Sequence, residues 1–216
     1  MKFASGAAVN AIIPIDPYNP LGLPPFTIRC KFKSGYTPSM GDSQTLVDAE
    51  ENVWDIYKNS TSWDSLFYYN SKLIAVLGAN TTSCTEFRRL FFQCSNLTTV
   101  QLFDTSLCTN FSGMFFMCKK LTTFPLFDTS SGYNMADMYG NCIMLKIIPL
   151  FSTSTWSSVS NMFYNCKNVE SGALALYQQL STQANPPRQY IDCFKSCGSD
   201  TVTGAAELAQ IPSDWK

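Results

Sequence analysis

The side chains with the most reactive chemistry in this sequence of 216 residues are its nine cysteines. Four of them, Cys94, Cys118, Cys142 and Cys166, follow one another at intervals of 24 residues. Equivalent residues of stacked repeats lie about 4.8 Å apart, whereas the Cβ atoms of a disulfide lie about 3.5–4.5 Å apart. We therefore predict unpaired, buried thiols that pack as small apolar groups, and neither disulfides nor a zinc site.

Other reactive constellations are missing from the sequence. The absence of histidine excludes imidazole-based hydrolase sites and every zinc site with a histidine ligand. Cys193 and Cys197 do not form a CxxC zinc motif, and no glycine-rich phosphate loop is found. No base accompanies the densest group of acids, which comprises Asp48, Glu50, Glu51 and Asp55. We predict no catalytic residue, no cofactor and no bound metal, and therefore a protein that is not an enzyme.

Two aspartates recur at the same interval as the cysteines. Asp104 and Asp128 are each followed by Thr-Ser, which is typical of a turn closed by the aspartate side chain. A ladder of calcium sites is the alternative, but Asn80 and Ser152 occupy the neighbouring positions of the column. Since the charge does not continue, we predict turns.

The period of 24 residues extends to the apolar positions, for example Phe67, Phe91, Phe115, Tyr139 and Phe163. Within one unit, LTTVQLF predicts a strand, DTS a turn, and FxxMFxxC a short helical return. We predict an α/β solenoid of stacked coils of about 24 residues. A parallel β-sheet would lie on one face, with helical or 3₁₀ returns and a cap at each end.

Four segments are predicted along the chain. They are an extended proline-rich arm (1–25), a β cap (26–62), the repeat coils (63–169) and a helical C-terminal cap (170–216). In the β cap, apolar and polar residues alternate from Phe26 to Phe32, and residues 52–57 predict a pairing strand. In the C-terminal cap, two helices are predicted, and Ser171 is the expected N-cap of the first.

The N-terminal arm is both extended and apolar, because five prolines interrupt helix and strand between residues 14 and 25. It packs either on its own chain or on a partner protein, and we predict anchoring residues on the second alternative. They are Ile12, Ile13, Ile15, Tyr18, Leu21 and Leu23. Asn10 and Pro14 cut the first apolar run short, so we do not expect a removable export signal.

A candidate binding face follows from the strand alternation, in which Val100 and Leu102 point inward. The face comprises Thr99, Gln101, Phe103, Thr123, Pro125, Phe127, Ile147, Pro149 and Phe151. Its three phenylalanines form an exposed aromatic row if the strand stays straight. We favour the other alternative, a strand that bends after Leu102 and turns the phenylalanines into the core, because such a row would promote aggregation.

Charge and hydropathy restrict the partners. The net charge is −1, which gives no electrostatic reason for nucleic-acid binding. No stretch reaches the roughly 18 apolar residues that cross a bilayer, so membrane insertion is not predicted.

The phrase MFxxCxxLTxxPLFDTS, which begins at Met114, resembles the BspA-like leucine-rich repeat proteins, a group that includes bacterial surface lipoproteins. The resemblance covers residues 63–169 and implies a leucine-rich-repeat-like arc with a parallel β-sheet along one face. It also implies a non-enzymatic role in adhesion or surface recognition. Similar short repeat proteins also occur among gut bacteriophage genes. We therefore expect a virion component such as a fibre, tail or capsid decoration protein, which presents a repeat surface to a host protein or glycan.

In that setting the arm would bind other virion proteins, and the chain would be part of an oligomer located in the virion. The alternative is an adhesion or host-interaction protein on a bacterial cell surface.

Overall fold

The computed structural model describes residues 16–39, 43–48 and 50–216. Its strands are β1 (Thr27–Phe32), β2 (Ser43–Asp48), β3 (Val53–Tyr57), β4 (Leu73–Asn80) and β5 (Thr99–Val100). They are followed by the helices α1 (Ala173–Thr182) and α2 (Val202–Gln210) and by a 3₁₀ helix (Ser213–Trp215). The strands form one sheet in the order β2-β3-β1-β4-β5. Adjacent strands are antiparallel except β4 and β5, which are parallel.

β1 lies at the centre of this sheet, and its apolar residues alternate with charged ones, so that one of its faces is buried. Ile28, Cys30 and Phe32 are buried. Arg29, on the other face, donates from Nε and Nη2 to the two carboxylate oxygens of Asp55 on β3, both at 2.8 Å. The two strands predicted for the N-terminal part of the chain are confirmed.

The predicted solenoid with a parallel sheet along one face is wrong. In the described part of the chain, the sheet ends with the two residues of β5, and later parallel contacts are isolated bridges. One physical reason is proline: Gln101 donates its backbone N–H to Val76 O at 3.0 Å. The equivalent residues Pro125 and Pro149 have no N–H to donate, so the strand is not repeated.

The predicted helical returns are also wrong, because each return contains two residues with a left-handed backbone. Their φ angles are 53° and 57° at Arg89 and Gln93, and 63° and 57° at Gly113 and Met117. An α or 3₁₀ helix requires negative φ throughout, so these segments form successive tight turns.

Backbone hydrogen bonds connect each unit to the next across this turn region. Phe91 N donates to Met114 O at 2.9 Å, and Phe115 N donates to Met138 O at 2.8 Å. Tyr139 N continues the series by donating to Met162 O at 2.9 Å. The donor and acceptor of each bond are 23 positions apart in the sequence, so equivalent residues of successive units are neighbours.

One cysteine recurs beside the turns of each unit, at Cys94, Cys118, Cys142 and Cys166. All nine cysteines are free and buried, so the prediction of unpaired, buried thiols is confirmed. Cys118 Sγ donates to Phe91 O at 3.1 Å, and Cys142 Sγ donates to Phe115 O at the same distance. Each of these two thiols thereby satisfies a carbonyl of a preceding unit in the interior.

An aromatic column runs through the core beside the thiols. It consists of Phe67, Phe91, Phe115, Tyr139, Phe163, Phe194 and Trp215. Neighbouring rings are stacked, with centroid distances between 5.3 and 6.3 Å. The column therefore joins the repeated units to the C-terminal residues in one continuous core.

The helices close the C-terminal end. Helix α2 begins at the N-cap Thr201, whose side-chain oxygen accepts from Gly204 N at 3.0 Å. Helix α1 has Gly172 as its N-cap, so the prediction of Ser171 is wrong. The backbone carbonyl of Ser171 accepts a hydrogen bond from Ile148 N at 3.0 Å. Within the described ranges, neither helix has the length and apolar character needed to cross a bilayer.

Candidate binding face

The predicted face is only partly on the surface. Thr99, Gln101, Thr123 and Ile147 are exposed, and Pro125 and Pro149 are half-buried. The three phenylalanines lie in the core: Phe103 is 0% exposed, Phe127 2% and Phe151 4%. The exposed aromatic row is therefore excluded, and the favoured burial of the three phenylalanines is confirmed, although strand β5 already ends at Val100 and not after Leu102.

These phenylalanines are part of the aromatic core. Phe103 meets the edge of Phe87 at 5.8 Å between ring centroids, and Phe127 stacks on Phe115 at 6.0 Å. Burial of such a ring contributes about 2–3 kcal/mol. This gain favours a chain path that turns the phenylalanines inward over a straight strand that leaves them exposed.

A leucine takes the surface place of each phenylalanine. Leu102 is half-buried, whereas Leu126 is 56% exposed and Leu150 is 58% exposed. We call these three residues the leucine row. The alternation that starts at Val100 predicts an inward Leu102 and so misses the row. Pro125 and Pro149 were the available signal, because a residue without a backbone N–H does not support a strand, and the alternation then does not apply to the leucine that follows.

A groove of about 480 Å³ lies over the leucine row. Tyr18 of the N-terminal arm forms one of its walls, and Asp128, Ser130 and Ser152 are the polar lining residues. The groove thus combines an apolar floor with a polar rim, as small binding sites commonly do.

The polar rim is built by the predicted aspartate turns. Asp128 Oδ1 accepts from Ser130 N at 2.9 Å, and Asp104 Oδ1 accepts from Ser106 N at 2.9 Å. Successive turns are joined by Thr105, which donates from Oγ1 to Asp128 O at 2.8 Å. The turn interpretation of these aspartates is confirmed.

The described part of the arm packs on the same face of its own chain. Gly78 lacks a side chain, and a Cβ built there would lie 3.0 Å from Leu21 Cδ1. Leu23 is buried, and its carbonyl accepts from Asn80 Nδ2 at 2.7 Å. Because β4 pairs with β5 in parallel, Gly78 lies at the strand position equivalent to Leu102. Leu21 therefore lies beside the leucine row, over a position where the chain has no side chain.

Of the predicted anchoring residues, Tyr18, Leu21 and Leu23 are thus placed on this face. Ile12, Ile13 and Ile15 lie outside the described residues. Anchoring of the arm to a partner protein stays a prediction.

Reactive groups are found elsewhere and are chemically quiet. Burial raises the pKa of Cys84, Cys108 and Cys166 to about 12, so these thiols remain protonated and unreactive at neutral pH. Among the acids of the β region, Asp55 pairs with Arg29 and Glu51 with Lys31. In the described residues, no group of three His, Cys, Asp or Glu is placed to hold a metal ion.

Comparison with protein families identifies the repeats. Residues 55–177, more than half of the chain, match the family described as Mycoplasma protein of unknown function, DUF285. The chain belongs to this family. The match supports a repeat protein of the BspA-like surface type and shows no bacteriophage origin. Comparison with curated proteins and with solved structures gives no significant match.

The range that matches this family contains the whole leucine row and most of the turn region. The arm with Tyr18 and Leu21, and the helix α2, lie outside it. The floor of the groove is therefore formed by the family repeat, whereas one wall is formed by a segment outside the matched range.

Proposed function

We propose that this protein is a non-enzymatic surface-recognition module, which binds an extended apolar segment of a partner protein in the groove over the leucine row. The observation that carries this proposal is the exposure of Leu126 and Leu150 side by side on one face. Contiguous exposed apolar patches mark interaction sites on soluble proteins. The family match supports the coarser part, a non-enzymatic surface protein.

The described arm supports the mode of binding. Its segment around Leu21 contains Pro17 and Pro20, which favour an extended chain. Leu21 lies against the backbone at Gly78, beside the leucine row. An extended segment that carries leucine-like side chains therefore has a place on this face already, and the open groove continues from it past Tyr18.

The surface that carries the module is the finer part of the proposal. We predict a virion, as a fibre, tail or capsid decoration protein, with a bacterial cell surface as the alternative. The family match does not support the virion. Immunogold labelling of purified virus particles and of bacterial cells tests the two settings. Gold on the particles supports the virion prediction, whereas gold on the cells alone supports the bacterial cell surface instead.

Selection from a library of random dodecapeptides, displayed on yeast, tests the binding mode. We expect the immobilised chain to enrich peptides with leucine or isoleucine at alternate positions. The double variant Leu126→Ser/Leu150→Ser should lose affinity for them by at least about tenfold, since apolar anchors at the centre of an interface dominate its affinity.

The matched control is Leu107→Ser, because Leu107 is 52% exposed and does not line the groove. It should bind the selected peptides like the unchanged chain. If the double variant and the control bind equally well, the leucine row is not the binding surface and the proposal fails.

A further inference from the structure

A second surface of the molecule combines aromatic rings with unpaired positive charge. Tyr68 is 40% and Tyr69 is 55% exposed, and their rings meet edge to face at 4.4 Å between centroids. Phe92 stacks behind Tyr68 at 4.9 Å, and Phe116 stacks behind Phe92 at 4.8 Å. A hydrogen bond between the side chains of Tyr68 and Tyr69 raises the pKa of Tyr68. The two exposed tyrosines are therefore held in place from behind and by each other.

Tyr69 separates two adjoining pockets, of about 350 and about 240 Å³. Both pockets are lined by Tyr69 and Ser71. The larger also contains Tyr36 and Lys72, and the smaller contains Gln93 and Lys119. Each pocket thus contains the shared residue Tyr69, one lysine and neutral hydrogen-bonding groups.

Among the residues that line the two pockets, the only charged ones are Lys72 and Lys119. No aspartate or glutamate occurs in the ranges 65–85, 87–103 and 105–127, which supply the lining residues beyond Tyr36. In the described part of the chain, neither Lys72 nor Lys119 forms an ion pair. Like charges that line a cleft concentrate ligands of the opposite charge.

We propose that the double pocket around Tyr69 is a binding site for an acidic oligosaccharide, whose sugars carry carboxylate groups. The apolar face of a pyranose ring stacks on the Tyr69 ring, as C–H groups do on aromatic faces. One carboxylate pairs with Lys72, and a carboxylate of another sugar of the same chain pairs with Lys119. Ser71 and Gln93 accept and donate hydrogen bonds to the sugar hydroxyls. This site is on a surface separate from the leucine row and does not depend on the proposed peptide groove.

Calorimetric titration with a hexamer of galacturonic acid tests this site. The purified chain should bind the hexamer at 20 mM salt and several-fold more weakly at 200 mM salt, because exposed charges are screened. Lys72→Gln and Lys119→Gln should each weaken binding about three- to tenfold at low salt and reduce its salt dependence. A neutral maltohexaose should bind at least about tenfold more weakly than the acidic hexamer.

Tyr69→Asn removes the stacking ring without straining the backbone. Tyr69 has φ 60°, and the equivalent residues Asn141 and Asn165 adopt φ 61° and 58°. This variant should lose affinity about tenfold or more at both salt concentrations, as loss of an aromatic anchor does. The controls are Tyr133→Ala, which removes a tyrosine that is 50% exposed elsewhere, and Lys58→Gln; both should bind like the unchanged chain.

Three outcomes overturn the proposal. The first is no binding of the acidic hexamer, and the second is equal binding of the neutral one. The third is tighter binding of single-stranded oligothymidylate than of the hexamer, because aromatic and basic side chains also form sites for single strands.

Discussion

Single polar atoms in the core of this protein are tolerated mainly where a partner satisfies them. Cys166 Sγ, for example, donates to Tyr139 O at 3.1 Å. Burial also raises the pKa of this thiol to about 12, so it is a neutral donor at physiological pH. The row of thiols is therefore best understood as packing that also satisfies backbone carbonyls.

The hydroxyl of Tyr139 is an exception. It is buried, and no hydrogen-bond partner for it is found among the described residues. The equivalent positions Phe91, Phe115 and Phe163 carry the same ring without a hydroxyl. Burial of a hydroxyl without a partner costs about 1–3 kcal/mol.

We predict that Tyr139→Phe stabilises the chain by about 1 kcal/mol, because it removes this unsatisfied group and keeps the stacked ring. Urea unfolding followed by near-ultraviolet circular dichroism measures the change in the free energy of unfolding. The converse variant Phe163→Tyr adds a hydroxyl at an equivalent position and should destabilise by a similar amount. A Tyr139→Phe variant less stable than the unchanged chain would show that the hydroxyl has a partner.

Between elements, the start of helix α1 depends on a residue of helix α2. Gly172 is the N-cap of α1 with φ 101°, and it has no side chain to accept from the first N–H groups of the helix. Glu207 of α2 supplies the acceptor: its carboxylate oxygens accept from Gly172 N at 3.3 Å and from Leu174 N at 3.1 Å. A negative charge at this end also interacts favourably with the helix dipole.

We predict that Glu207→Ala lowers the free energy of unfolding by about 1–2 kcal/mol, as removal of an N-cap does. Glu207→Gln should lose less, since its amide oxygen still accepts a hydrogen bond. The control is Glu170→Ala, which removes only the exposed ion pair with Lys146 and should cost less than about 0.5 kcal/mol. Equal losses in the Glu207 and Glu170 variants would contradict the capping role.

The elements differ in how far their structure can be predicted from the sequence. Strand β1 is predictable because the alternation from Phe26 to Phe32 depends on residues that are close in sequence. The turn region is not, because FxxMFxxC has the spacing of a helix, and its positive φ angles are set by contacts with the next unit. The leucine row is missed for a related reason: Pro125 and Pro149 prevent the strand from being repeated, so strand alternation does not decide which side chain is exposed.

At the scale of the whole molecule, the repeated units are held together by two sets of contacts with the same period. One set is the backbone bonds between residues 23 positions apart, such as Gly113 N to Ala136 O at 2.8 Å. The other is the aromatic column, in which Phe91 stacks on Phe115 and Phe115 on Tyr139. Because both sets repeat from unit to unit, removal of one complete unit should leave matching contacts on either side of the gap.

We predict that a variant lacking residues 111–134, one complete period, still folds. Arg89 N would then donate to Ala136 O, and Phe91 would stack on Tyr139. These contacts would replace those that Arg89 N makes with Ser112 O and Phe91 makes with Phe115 in the unchanged chain. The variant should unfold in urea in a single transition. The slope of its free energy of unfolding against urea concentration should be about one tenth smaller, because unfolding exposes less surface. Near-ultraviolet circular dichroism should report packed aromatic rings.

The matched control lacks residues 111–122, half a period, which places turn residues opposite the strand-like half of the preceding unit. It should lose the near-ultraviolet signal and the single transition, because neither the backbone bonds nor the rings meet a partner. Folding of both deletion variants, or of neither, would mean that contacts outside this period hold the molecule together. Folding of the complete-period variant alone would show that matching contacts between neighbouring units are sufficient to build the core.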